Sequence, residues 1–488
     1  MDTVRKRARR LPMSEVKKKA VVDFTEGRIT GKMIKFAMPL MATALLQSLY
    51  NAADMIVVAN FAPNGSFAMG AVGACGSLFS LFVNFFLGLS VGVGICVAQN
   101  IGAKRPDEVK KYVHTAAVMS LICGIAMGVL GFFTAETMLK WMGTPDTLLP
   151  EAAQYMRAVF IGMPANLVYN FLASALRSSG DSKRPLIFLT LSGLANVGIN
   201  FLMVLGFGMG AVGVGIATAI SQYLSAILIV VFMLRTSGVC RIYPRELKIH
   251  REMVAGIMQN GLPTGLQSVV FAISNVLIQA SINSFGDIAV AGSGAANNIE
   301  NFIYVAMNAI SIATITVVSQ NVGAAKFERI KRTMVVSLIT VSVVGLGIAG
   351  LVMLFHEPLL AIYAPGNDAT AHAVRDSGLV KLLFVGCPYF LCGIMECVSG
   401  SLKGMGRSLI SMILSIIGSC ALRILWIYTV CPFFSDNIGV LYLAYPVTWI
   451  VTTVGLAVFN VKAYRELIRA RDARIAREAE RQEIEAEV

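Results

Sequence analysis

Residues 36–61 read FAMPLMATALLQSLYNAADMIVVANF. The run is apolar and long enough to cross a bilayer, which takes about 20 residues, yet it holds Pro39, Gln47, Tyr50, Asn51 and Asp54 in its body. A carboxylate at membrane depth costs about 2.5–3.5 kcal/mol on insertion scales, so it faces protein or water and is a functional residue by default. At 3.6 residues per turn, Thr43, Gln47, Tyr50, Asn51 and Asp54 fall on one helical face, a polar seam on an oily rod.

The same pattern extends along the chain. Of the 488 residues 56% are hydrophobic and 14% charged, well below the charge content of a soluble domain, and the mean hydropathy is +0.70. Roughly twelve apolar runs can be drawn, each long enough to span. The fold class is therefore an all-α polytopic membrane protein.

The formal charge of +13 does not imply nucleic acid, because Lys and Arg collect in alternate gaps between apolar runs. Residues 1–35, the loops after every second span and the tail hold 36 of the 41 basic residues, whereas the opposite loops hold only Lys140 and Arg375. By the positive-inside rule both termini are expected to be cytoplasmic, in the cell's inner (plasma) membrane. The N-terminus lacks the apolar core of a signal peptide and reads as a solvated basic segment within reach of anionic lipid.

The second half of the chain repeats the first. Residues 36–61 match 260–285, with Pro39 over Pro263 and Asn51 over Asn275. AQNIGAKR (98–105) matches SQNVGAAK (319–326), GMP (162–164) matches GCP (386–388), and LRSSGDS (176–182) matches LKGMGRS (402–408). Each half holds an even number of spans, so the repeat is parallel, about an axis along the membrane normal, with the substrate path expected between the halves. The expected organisation is a basic N-terminal segment 1–30, an N-lobe 31–235, a linker 236–251, a C-lobe 252–464 and a charged tail 465–488.

Several motifs carry no chemistry. The nine cysteines lie mostly in apolar runs without CxxC spacing, as small packing residues do, and the four histidines are scattered, so neither a metal site nor a cofactor is expected. Gly208, Gly210 and Gly213 spell GxGxxG, but two apolar spans flank them, which makes a tight outer turn rather than a dinucleotide loop. Most of the 24 Met and 26 Phe face lipid or neighbouring helices. Arg157 and Lys381 occupy matched places near the outer ends of their spans, and both are expected to snorkel to the interface. A membrane-embedded enzyme would need paired acids with a metal-binding histidine, and no such set is present.

Pro39, Gln47 and Asp54 in the first span, QNIGA closing the second, LRSSGDSKRP after the fourth and GMGAVGVGIATAISQ opening the sixth resemble the prokaryotic multidrug and toxic compound extrusion (MATE) family, over residues 30–460. The resemblance implies two pseudo-symmetric six-helix lobes about a central cavity, and export of small organic, often cationic, compounds against an inward H+ or Na+ gradient. It places a cation or proton site on Asp54, Asn196, Asn200 and Thr218, with Asn200 standing where the family has Asp. Acids that another branch keeps in spans seven and ten are replaced here by Phe271 and Cys392.

Glu300, Glu396 and Arg423 are further charges within spans. They are expected to line the substrate or proton cavity, with Arg423 neutralising one of the two glutamates. Gln267, Asn275 and Gln279 form a weaker seam in the seventh span, and Pro39 is a candidate hinge. Small organic substrates and lipids are the expected partners of a monomer, and no nucleic acid is expected. The alternative reading, a flippase for a lipid-linked precursor, calls for several cavity-facing Lys or Arg, and only Arg423 meets that requirement in the sequence.

Overall fold

The computed structural model describes residues 22–62, 65–434 and 437–487. The basic cluster Arg5–Lys19 lies outside them. The described residues form helices α1 Ile29–Phe61, α2 Gly65–Gly102, α3 Pro106–Trp141, α4 Leu149–Ile161, α5 Met163–Ser178, α6 Lys183–Phe201 and α7 Ala211–Arg235 in the first half. The second half contains α8 Arg251–Asn283, α9 Asp287–Gly323, α10 Phe327–Leu354, α11 His356–Tyr363, α12 Ala369–Lys381, α13 Tyr389–Gly404, α14 Ser408–Ser415, α15 Leu422–Thr429 and α16 Ile438–Glu487. Among the described residues eleven helical segments are long and apolar enough to span, α12 with α13 and α14 with α15 each counting as one, and α4 with α5, bent by 44°, makes a twelfth. The bend falls at Gly162-Met163-Pro164, because a proline within a helix lacks the N–H and crowds the carbonyl one turn back.

The repeat is visible in how the lobes meet. The first half of α1 packs into the C-lobe, where Met33, Phe36, Ala37 and Leu40 share a core with Ala309, Ile310 and Ala313 of α9. The first half of α8 packs reciprocally on α2. There Gly88 and Gly92 face Gly265 and Gly261, and a Cβ built on Gly88 would lie 2.6 Å from the Gly265 backbone. Two facing small-xxx-small pairs let the backbones approach at lipid depth, where dispersion and not hydrophobic expulsion holds helices together. At the matched α1–α9 crossing Ala37, Met41, Ala309 and Ala313 stand in place of these glycines.

At the end of the bundle that carries the basic loops, the two QN-x-GA motifs meet. Gln99 Nε2 donates to the Gly404 carbonyl at 3.1 Å, and Gln320 Nε2 donates to the Ser178 carbonyl at 2.8 Å. Ser178 and Gly404 are themselves matched positions, so each lobe grips the other through the same bond. Gly102 lies against the Gln320 carbonyl and Gly323 against the Gln99 carbonyl, leaving no room for a side chain at either. Phe24, 1% exposed, is inserted here: its N–H donates to Gln320 Oε1 at 3.1 Å and its carbonyl accepts from Arg329 Nη2 at 3.0 Å.

Candidate functional site

Two polar sites lie within the apolar frame, one in each lobe. In the N-lobe, α1 packs on α6. The Tyr50 ring fills the space left by Gly193, and its hydroxyl donates to the Thr190 carbonyl at 3.3 Å. One turn further along, Asp54 meets Asn200. The Asn200 Nδ2 donates to Asp54 Oδ1 and also reaches Asn196 Oδ1 at 3.3 Å. Asn200 is fully buried and Asn196 5% exposed, while Asp54 is half-buried. Asn200 Oδ1 has no partner among the described residues, so the cluster keeps one buried acceptor without a donor.

The structure thus brings together three of the four expected N-lobe residues. Thr218 does not join them; its hydroxyl bonds the Val214 carbonyl one turn back on α7 at 2.9 Å. Gln47 and Asn51 are exposed on α1 and do not line the C-lobe cavity described next. Pro39 is buried, and α1 runs through it as one continuous helix, with the Thr43 hydroxyl on the Pro39 carbonyl at 2.7 Å.

The second site is a cavity of about 530 Å³ walled almost wholly by C-lobe helices, with Asn84 of α2 the N-lobe's contribution. Its volume suits a small organic ligand. Glu300, Lys381, Glu396 and Arg423 all line it, together with Asn275 and Gln279 of α8 and the rings of Tyr304, Tyr389, Tyr445 and Trp449. Gln267 is buried at 3% exposure and does not reach it. Asp54, too, is outside it. Asp54 and the glutamates therefore belong to separate sites, because α6 and not the C-lobe covers the Asp54 face of α1.

Two further expectations are corrected. Arg423 does not neutralise a glutamate: its Nη2 donates to Thr448 Oγ1 at 3.4 Å and its guanidinium lies 4.2 Å from the Tyr445 ring centre. The cation beside Glu300 is Lys381, with Nζ 3.8 Å from Oε2. Lys381 therefore does not snorkel; it is 1% exposed and also donates to Asn297 Oδ1 and to Ser293 Oγ at 3.1 Å. Its matched residue Arg157 does turn outward, to Glu136 at 3.3 Å. The difference follows from α2, which offers Val72, Gly76 and Phe79 where α9 offers Ser293, Asn297 and Glu300, so a cation in the N-lobe has no internal partner.

A backbone feature recurs beside these residues. Short π-helical turns occupy Leu202–Gly206, Leu382–Gly386 and Ile416–Ala421, adjoining Asn200, Lys381 and Arg423 in turn. Such turns widen the helix and shift its side-chain register, and they concentrate at functional sites.

Comparison with known proteins agrees with this architecture. The MatE family model matches residues 39–202 and again 263–429, once in each half. The chain belongs to the MatE family. It is 24% identical over 427 residues to a probable multidrug resistance protein, YoeA, of Bacillus subtilis, covering 86% of this chain and 91% of the relative. A FAD transporter of Shewanella oneidensis is 22% identical over 389 residues, with 79% and 84% covered. A solved structure described as the outward-facing conformation of a multidrug resistance MATE family transporter superposes with a TM-score of 0.85 at 20% identity, over 93% of this chain and all of that one. The two-lobe, all-helical expectation therefore holds, and this MatE protein is a multi-span membrane transporter of the efflux family and not an enzyme.

Proposed function

We propose that the protein is a secondary active antiporter that exports small organic compounds in exchange for H+ or Na+, by alternating access between its lobes. The observation that carries the reading is the division of polar chemistry: Asp54 with Asn196 and Asn200 in one lobe, and a ligand-sized cavity in the other. The carboxylate and amide oxygens gathered at Asp54 suit a proton or a small hard cation. One charge entering the cell releases about 2.3 kcal/mol per 100 mV, enough for one or two ions to sustain a useful gradient. The exchanged packing of α1 and α8 gives each lobe a lever on the other. In this reading the chain works as a monomer in the plasma membrane with both termini cytoplasmic.

A flippase for a lipid-linked precursor needs a concentration of cavity cations. Lys381 joins Arg423 in the cavity, but Glu300 beside it offsets its charge, so the exporter is favoured. The test is dye efflux from proteoliposomes under imposed H+ or Na+ gradients. Transport is expected to stop when both gradients are collapsed and in Asp54→Asn, whereas efflux that survives both overturns the antiporter.

A further inference from the structure

We propose that the C-lobe cavity selects amphoteric aromatic compounds, with an acid group seated on Arg423 and a cationic or N–H-bearing group facing Glu396. The inference rests on the exporter reading for its physiological meaning, but the binding chemistry stands on the cavity alone. Four ionisable side chains of opposite sign line it: Glu300, Lys381, Glu396 and Arg423. Their formal charges cancel, so a net cation gains no overall attraction there, while a ligand with separated poles does.

The four are not equivalent. Lys381 and Glu300 lie side by side, and Asn297 and Ser293 complete the lysine's hydrogen bonds. That pair is internally balanced. Arg423 and Glu396 are not paired with each other or with any other charge among the described residues. Arg423 is 6% exposed, and its one hydrogen bond there is the 3.4 Å contact from Nη2 to Thr448; Nε has no partner and Nη1 makes no hydrogen bond. A buried guanidinium with donors unfilled is incomplete without an acceptor, because leaving such a group unsatisfied is expensive. Its planar fork fits a carboxylate or phosphate edge. Glu396 offers the complementary pole: its main-chain carbonyl takes the Ser311 hydroxyl at 2.9 Å, and its carboxylate has no protein donor among the described residues.

Aromatic character follows from the walls. Tyr445, whose ring lies under Arg423, and Trp449, 5.8 Å from it between ring centres and turned edge-to-face at 69°, line one side of the cavity. Such faces take planar rings by offset or edge-on stacking. The combination distinguishes the site from a cation trap, which would leave Arg423 repelling its ligand.

The experiment measures binding of tetramethylrhodamine and its methyl ester to the purified full-length protein by fluorescence anisotropy. The two dyes share one cationic ring system and differ only in the acid group. The acid is expected to bind at least about tenfold more tightly, the worth of one charge-assisted hydrogen bond. Arg423→Gln should abolish that preference while leaving ester binding unchanged or tighter. Glu396→Gln should weaken both dyes by a similar factor and preserve their ratio, so a fold-defective Arg423→Gln does not remove the test. An ester that binds as tightly as the acid, or a ratio indifferent to Arg423, overturns the proposal; so does displacement of the acid by lysophosphatidylcholine at lower concentration, which would assign the cavity to a lipid headgroup. Gradient-driven efflux read in parallel separates the two readings. Efflux without discrimination sinks the amphoteric site alone, and discrimination without efflux sinks the exporter alone.

Discussion

Replacing Lys381 by Met would leave Glu300, 6% exposed, without a cation in a site that water does not reach freely. At 3.8 Å and an effective dielectric near 20, the lost attraction is about 4 kcal/mol. Breaking a buried pair from one side typically costs about 3–5 kcal/mol, whereas removing both charges together is close to neutral. Lys381→Met should therefore destabilise the protein by about 3–5 kcal/mol, and Lys381→Met with Glu300→Gln should recover most of that. The assay is a double-mutant cycle by sodium dodecyl sulfate titration in mixed micelles, with a coupling energy of at least about 2 kcal/mol expected. The same cycle run with Arg423→Gln in place of Lys381→Met should show little coupling to Glu300. A Lys381–Glu300 coupling below about 0.5 kcal/mol, or a stronger one from Arg423, would refute the assignment of Lys381 as the partner.

Two other outcomes follow from the basic end of the bundle. A side chain at Gly102 or Gly323 overlaps the carbonyl of Gln320 or Gln99, so Gly102→Val with Gly323→Val should force the lobes apart there; spin labels at Arg105 and Ala325 on a cysteine-free background should report a longer distance, and an unchanged distribution would show that these glycines do not hold the junction. Cys240 in the linker is 3% exposed, and burial pushes its thiol up to about 12 despite the Ser179 hydroxyl that lowers it. Since the thiolate is the nucleophile, its reaction with N-ethylmaleimide at pH 8 should be about a thousandfold slower than that of an ordinary thiol, and it should become fast on denaturation; rapid labelling of the native protein would contradict the burial of the linker on α5.

The facing glycine pairs at 88, 92, 261 and 265 were readable as GxxxG motifs on two spans, but only the fold shows that they face each other. Lys381 was readable too, as a cation inside an apolar run. Its repeat partner Arg157 suggested a common outward role, and the repeat misled because the two cations meet different neighbours. Arg423 was recognised as a buried charge, but its partner was misassigned, since span order says nothing of which helix faces inner carboxylates.

What the sequence determines by itself is whatever depends on segment composition and on chain-long regularity. Apolar length, the alternation of basic loops and the internal repeat yield twelve spans in two halves and single out Asp54, Glu300 and Glu396, because a charged group in a lipid-length helix stands out against its own segment, while Asn196 and Asn200 come from the family resemblance. The tertiary structure decides partnership. Whether Asp54 joins the glutamates or is closed off by α6, and whether Glu300 meets Lys381 or Arg423, turn on helix rotation, on the π-turns that reset register beside Asn200, Lys381 and Arg423, and on which small residues let two backbones touch. Those are properties of contacts between segments far apart in the chain. The opening stretch keeps its half-buried carboxylate, but it was the packing of α6 that fixed its partner.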